Sequence, residues 1–139
     1  MRLSRKLIVT VVIIGLCVSV GSVLALHTFF PSTTELQQTI DDVSITLAIP
    51  NNPGIYESHQ FRVRLTDATG QPMNDAHVYL DLDMPAMPMG INQPIADARS
   101  NGVYETSTVY TMDGLWSITV IATVEDQEYR AVFFTEVPE

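Results

Sequence analysis

Cysteine is nearly absent from this sequence: the 139 residues include one, Cys17, inside an apolar run. Everything after that run therefore lacks both disulfides and thiolate metal sites, and any soft ligand there must be a methionine. Leu16 precedes Cys17, where lipoprotein processing needs a small residue, so acylation of that cysteine is not expected. Basic residues are scarce too. After residue 30 only Arg62, Arg64, Arg99 and Arg130 oppose sixteen carboxylates, a formal charge of −12. Such a domain repels nucleic acid and anionic lipid and concentrates cations near its surface. Enzyme signatures are missing as well: there is no G-x-S-x-G, no glycine-rich phosphate loop and no H-E-x-x-H, and the three histidines are scattered. The reading is a non-enzymatic protein.

The apolar run "LIVTVVIIGLCVSVGSVLALHTFF", residues 7–30, carries no formal charge over 24 positions. At 1.5 Å per residue it is long enough to cross a hydrocarbon layer of roughly 30 Å as a helix. Arg2, Arg5 and Lys6 precede it and every acid follows it, which puts residues 1–6 in the cytoplasm and the rest outside. A cleaved signal peptide ending at Val23-Leu24-Ala25 is the competing reading, but its apolar region is usually shorter. The expected plan is a cytoplasmic start, a membrane-spanning helix over 7–30, a polar linker over 31–41 and one extracytoplasmic domain over 42–139.

That domain shows period-two alternation and no helical period. Val43, Ile45, Leu47 and Ile49 share one face, as do Phe61, Val63 and Leu65, and Ala76, Val78, Leu80, Leu82 and Met84. Further runs cover 104–112, 116–124 and 129–135, with a weaker one in "NQPIADAR". Turn chemistry separates them, Asp113-Gly114 being the sharpest and suited to a two-residue hairpin. Six or seven short strands predict an all-β fold, an immunoglobulin-like antiparallel β-sandwich. Carboxylates such as Asp81 and Asp83 alternate outward and read as a solvated face.

Three of the six methionines fall in "DLDMPAMPMG". Antiparallel strands alternate in direction, so the 50–59 loop, the 84–92 loop and the 113–114 turn share one end. If the first strand rises from the linker, that end is distal to the membrane. Met84, Met87, Met89 and Met112 gather there, joined by His59, while His77 begins its strand at the opposite end. Thioethers favour Cu(I) and imidazole accepts either copper oxidation state; Pro85 and Pro88 stiffen the loop. Methionine is also an adaptable filler of apolar gaps. Packing is the stronger reading for Met84 and Met112, which continue inward-facing stripes. Met87 and Met89 are the better ligand candidates.

The order "VRLTDATGQPMNDAHVYLDLDMPAMPM" followed by "NGVYETSTVYTMDGLWSITV" resembles the YtkA-like domain, found also in membrane-anchored FixH-type proteins. Shared elements are a G-x-P turn, an A-x-V strand, the methionine loop, G-x-Y and M-x-G-x-W. The resemblance implies an extracytoplasmic immunoglobulin-like domain linked to copper handling and to maturation of haem-copper respiratory oxidases. Relatives often carry a histidine beside the methionine loop; here Gly90-Ile91-Asn92 stands instead, which points to Cu(I) rather than Cu(II). The alternative is a metal-free interaction module, an accessory subunit of a larger membrane complex. Small residues in the apolar run, Gly15, Ser19, Gly21 and Ser22, would suit close helix packing in such a complex.

Overall fold

The computed structural model describes residues 32–87 and 89–139. The expected membrane-spanning helix lies outside them, and among the described residues no helix is long and apolar enough to cross a membrane. Residues Ser32–Glu139 form one compact unit, so the domain begins ten residues before the expected boundary.

Eight antiparallel strands make up this unit: β1 (Thr33–Ile40), β2 (Val43–Pro50), β3 (Ser58–Thr66), β4 (Ala76–Asp83), β5 (Ile95–Ala98), β6 (Val103–Val109), β7 (Gly114–Val124) and β8 (Gln127–Val137). They lie in the order β1-β2-β3-β6-β5-β4-β7-β8. The inward residues of β2, β3, β4, β6, β7 and β8 form one apolar cluster, so the sheet folds over on itself around a shared core. Every alternating stripe named from the sequence contributes to it, and the weak run near residue 95 is a real strand, β5.

The difference is β1. The segment expected to be a linker pairs with β2 along its whole length, from Thr33 opposite Pro50 to Ile40 opposite Val43. Its alternation is hidden because the position between Leu36 and Ile40 is Gln38. That side chain is used at the sheet's edge: Gln38 Nε2 donates to the Val132 carbonyl at 2.6 Å, and its Oε1 accepts from the Val132 N–H at 3.2 Å. The amide thus satisfies backbone groups of β8 that would otherwise be left open, and links the two edge strands.

The added strand reverses an expectation about polarity. Thr33 lies opposite Pro50, and the Ser32 carbonyl accepts from the Asn51 N–H at 2.9 Å. The chain therefore enters at the end carrying loops 51–57, 84–94 and 110–113, here called the methionine end. Counting strands from residue 42 puts that end farthest from the entry point; one more strand changes the parity. The opposite end holds two tight hairpins, Asp41-Asp42 and Glu125-Asp126, each with its first residue at positive φ.

Asp113-Gly114 is not a hairpin turn. β6 pairs with β3 and β5, whereas β7 pairs with β4 and β8, so the segment crosses between the two halves of the sheet, with only Gly114 of the pair at positive φ. On the outer face Glu105 accepts from Arg99 at 3.1 Å and from Arg62 at 2.9 Å; these bonds hold its carboxyl below the ordinary glutamate range and tie the chain just after β5 to β6.

Gly102 has φ +68, and a Cβ there would collide with the Leu65 carbonyl oxygen and sit 3.0 Å from the Met73 nitrogen. Both are backbone atoms that cannot step aside. Its N–H donates to Asn74 Oδ1 at 2.7 Å, while two residues on the Tyr104 hydroxyl donates to the Met73 carbonyl at 2.8 Å. The G-x-Y pair thus clamps the loop before β4. Gly102→Ala is expected to cost about 2–3 kcal/mol from φ strain and collision. Gly70→Ala, at φ +81 but in open space, should cost about 1 kcal/mol. Urea midpoints of the two variants check this; equal losses would remove the collision from the account.

Candidate functional site

The methionine end is built on an aromatic layer. Tyr110, fully buried, has ring centroids 5.2 Å from Trp116, 5.9 Å from Phe61 and 5.6 Å from His59. Its backbone carbonyl accepts from the Tyr56 N–H at 2.7 Å, which docks loop 51–57 onto the end of β6. The Tyr110 hydroxyl finds no hydrogen-bond partner among the described residues, and burial pushes its pKa far above the usual phenol range. A buried hydroxyl without a partner costs free energy. Tyr110→Phe is therefore expected to leave stability unchanged or raise it by up to about 1 kcal/mol, readable from the urea midpoint; a clear loss would mean that the hydroxyl is satisfied.

On this layer rest the two methionine-bearing loops. Met84 is 7% exposed and belongs to the core, as its place in the β4 stripe predicts. Its methyl reaches Gly114, where an added Cβ would stand 3.2 Å from it, so the 84–87 loop and the 112–114 crossing touch. Met87 forms a bridge back to Met84, its N–H donating to the Met84 carbonyl at 3.1 Å, and its side chain is 47% exposed.

Met89 is half-buried against the core. With Leu82, Ile91, Thr108 and Trp116 it lines a cleft of about 270 Å³ between β4 and β6. Here the structure departs from the expectation that Met89 is as free of packing as Met87. Met112 departs the other way: β6 ends at Val109 and Tyr110 is the last buried residue of its stripe, so Met112 turns outward and is 37% exposed. The Met112 carbonyl accepts from Trp116 Nε1 at 3.0 Å, which ties the loop to the core. In M-x-G-x-W the methionine carbonyl, the glycine and the indole are thus three parts of one fastening.

His59 shares this end, half-buried at the start of β3. Its Nε2 lies 2.7 Å from the Gly54 carbonyl. A carbonyl can only accept, so Nε2 carries the proton and Nδ1 keeps the lone pair available to a metal. His77 stands at the opposite end, near Tyr79, as expected. Among the described residues no three His, Cys, Asp or Glu side chains gather as a ligand set; the soft donors brought to this end by the fold are thioethers, with His59 as the one imidazole.

Strand parity puts the 50–59 loop at this end, but sequence reasoning singles out neither Ile55 nor Tyr56 within it. An apolar pair, Ile55-Tyr56, inside otherwise polar turn chemistry was the available signal.

The motifs described above lie within the region, residues 37–121, matched by the sequence model of one family, described as YtkA-like. The chain belongs to the YtkA-like family. The match runs from the middle of β1 to Ile121 in β7 and so covers more than half of the chain, including both methionine loops and the Trp116 fastening. The G-x-P, G-x-Y and M-x-G-x-W elements have structural roles in this YtkA-like domain: Pro72 bridges to Thr66, Gly102 and Tyr104 clamp the loop before β4, and Trp116 holds Met112. A comparison with curated proteins finds no match to this sequence.

Proposed function

We propose that this YtkA-like protein is a single-pass, membrane-anchored module with an extracytoplasmic, immunoglobulin-like β-sandwich that binds Cu(I) and passes it to a respiratory oxidase or another membrane complex. The observation that carries the copper reading is the adjacency of two loops bearing Met84, Met87, Met89 and Met112, with Met87 and Met112 open to solvent. Thioethers are soft, neutral donors that suit Cu(I) and disfavour zinc or magnesium. Met87 and Met89 would supply the principal donors, with Met84, Met112 and His59 Nδ1 as further ones. The sandwich reading is supported by the folded-over sheet and shared core. The link to an oxidase rests on the likeness to FixH-type proteins.

A competing reading, a metal-free interaction module of a larger membrane complex, draws support from Ile55, Tyr56, Ile91 and Leu115, all exposed at this same end. Anaerobic titration of the full chain in detergent with Cu(I), in competition with a chromophoric chelator, separates the two. The copper reading expects about one equivalent withdrawn from the chelator. If the chelator keeps all of its copper, the interaction module stands.

The anchor has its own test. N-terminal sequencing of protein isolated from membranes is expected to begin at or near Met1, because the apolar run exceeds what a cleaved signal needs. A mature end at Leu26 would overturn the anchor.

A further inference from the structure

Of the nine large apolar side chains exposed among the described residues, six stand at the methionine end: Ile55, Tyr56, Met87, Ile91, Met112 and Leu115. Ile91 is 91% exposed and Tyr56 74%. Tyr56 is also held at φ +59, a region that a bulky residue enters only at a free-energy cost. The bond from its N–H to the Tyr110 carbonyl, 2.7 Å, keeps it there, and the result is an aromatic ring presented outward rather than packed.

Two observations bear on what covers this surface. The uncharged run of 24 residues ends at Phe30, and only Pro31 separates it from Ser32, whose carbonyl is bonded to Asn51 at this end. At roughly 3.5 Å per residue, an anchored run leaves the apolar end within one or two residues of the lipid–water boundary. Second, Glu57, Asp83, Asp113 and Glu136 flank the patch, so anionic lipid is repelled and attraction must come from apolar and aromatic burial. Tyrosine is a residue favoured at such interfaces, with an apolar body and a polar tip.

We infer that the methionine end lies on the surface of a zwitterionic lipid bilayer, with Ile55, Tyr56, Ile91 and Leu115 in the headgroup layer. This rests on the membrane-anchored reading above. It would hold Met87 and Met112 at the membrane surface, where a membrane-embedded acceptor of a soft cation is within reach.

The test uses the full chain with Cys17→Ser and one added cysteine, Ile91→Cys, Leu115→Cys or Asp126→Cys, labelled with an environment-sensitive fluorophore. These positions are exposed, and two independent sites at the methionine end guard against a local effect of either. Asp126 is at the other end, in the hairpin joining β7 and β8, strands of eleven residues each, which puts it roughly 30 Å away. In phosphatidylcholine vesicles containing headgroup-spin-labelled lipid, quenching at 91 and 115 is expected to be at least about threefold stronger than at 126, and to fall when phosphatidylserine replaces half of the lipid. Equal, weak quenching at all three positions in chain that resists alkaline carbonate extraction would overturn the docking alone and leave the end to a protein partner. Chain released by carbonate would overturn the anchor and the docking with it.

Discussion

Trp116→Ala is expected to lower the melting temperature of the domain by at least about 12 °C. The side chain is 1% exposed, and truncating a buried tryptophan typically costs about 3–5 kcal/mol through lost burial and the cavity left behind. For a domain of this size each kcal/mol is worth on the order of 4–8 °C. Two further contacts disappear: the edge-on contact with Tyr110 at 5.2 Å and the indole bond to the Met112 carbonyl at 3.0 Å. Trp116→Phe separates these effects. It keeps most of the apolar volume and removes the N–H donor, so it should melt well above the alanine variant while loosening the Met112 loop. Calorimetry with and without a copper chelator completes the test. The parent is expected to stay folded and melt cooperatively with chelator present, because the core alone supplies its stability, and any fall in melting temperature is limited to the lost binding of copper to the folded state; unfolding by chelator alone would make the metal structural.

Replacing Met87 and Met89 together by leucine should weaken Cu(I) binding at least about tenfold, equivalent to roughly 1.4 kcal/mol. Leucine and methionine are close in volume, and such exchanges usually change packing by less than about 1.5 kcal/mol. The two positions divide the effect unequally. Met87 is half exposed, so its exchange removes a donor and little packing, while Met89 lies against the core and lines the cleft beside Trp116. Met89→Leu alone should therefore carry most of any stability change and Met87→Leu alone almost none. Chelator competition and urea denaturation on the same samples read both quantities. Unchanged affinity in the double variant would return these methionines to the role of filler.

The core was legible in the sequence because period-two alternation depends on side-chain direction, and a strand whose inner face is apolar throughout displays it: Val43 to Ile49 and Phe61 to Leu65 are buried as the pattern predicts. β1 was not legible. Only Leu36 and Ile40 mark its inner face, and Gln38 between them serves the backbone of β8, a tertiary use that no local pattern encodes. Pairing was equally hidden for Asp113-Gly114, whose chemistry suits a hairpin although its flanking strands pair with others. The shared end of Met84, Met87, Met89, Met112 and His59 followed correctly from strand parity, because residues 42–139 contain the strands that were counted. Which end of the chain's entry it faced did not follow, since that depends on the one strand missed. Solvent exposure was the least legible property: Met112 continues an inward stripe on paper, but β6 stops before reaching it.

Copper K-edge X-ray absorption on the Cu(I)-loaded full chain tests the central claim most directly, because sulfur and nitrogen or oxygen neighbours scatter distinguishably. Thioether binding predicts a sulfur-dominated nearest-neighbour signal in the parent that weakens when Met87 and Met89 are both leucine. A spectrum with only nitrogen and oxygen neighbours, or no copper retained by the protein at all, would contradict it.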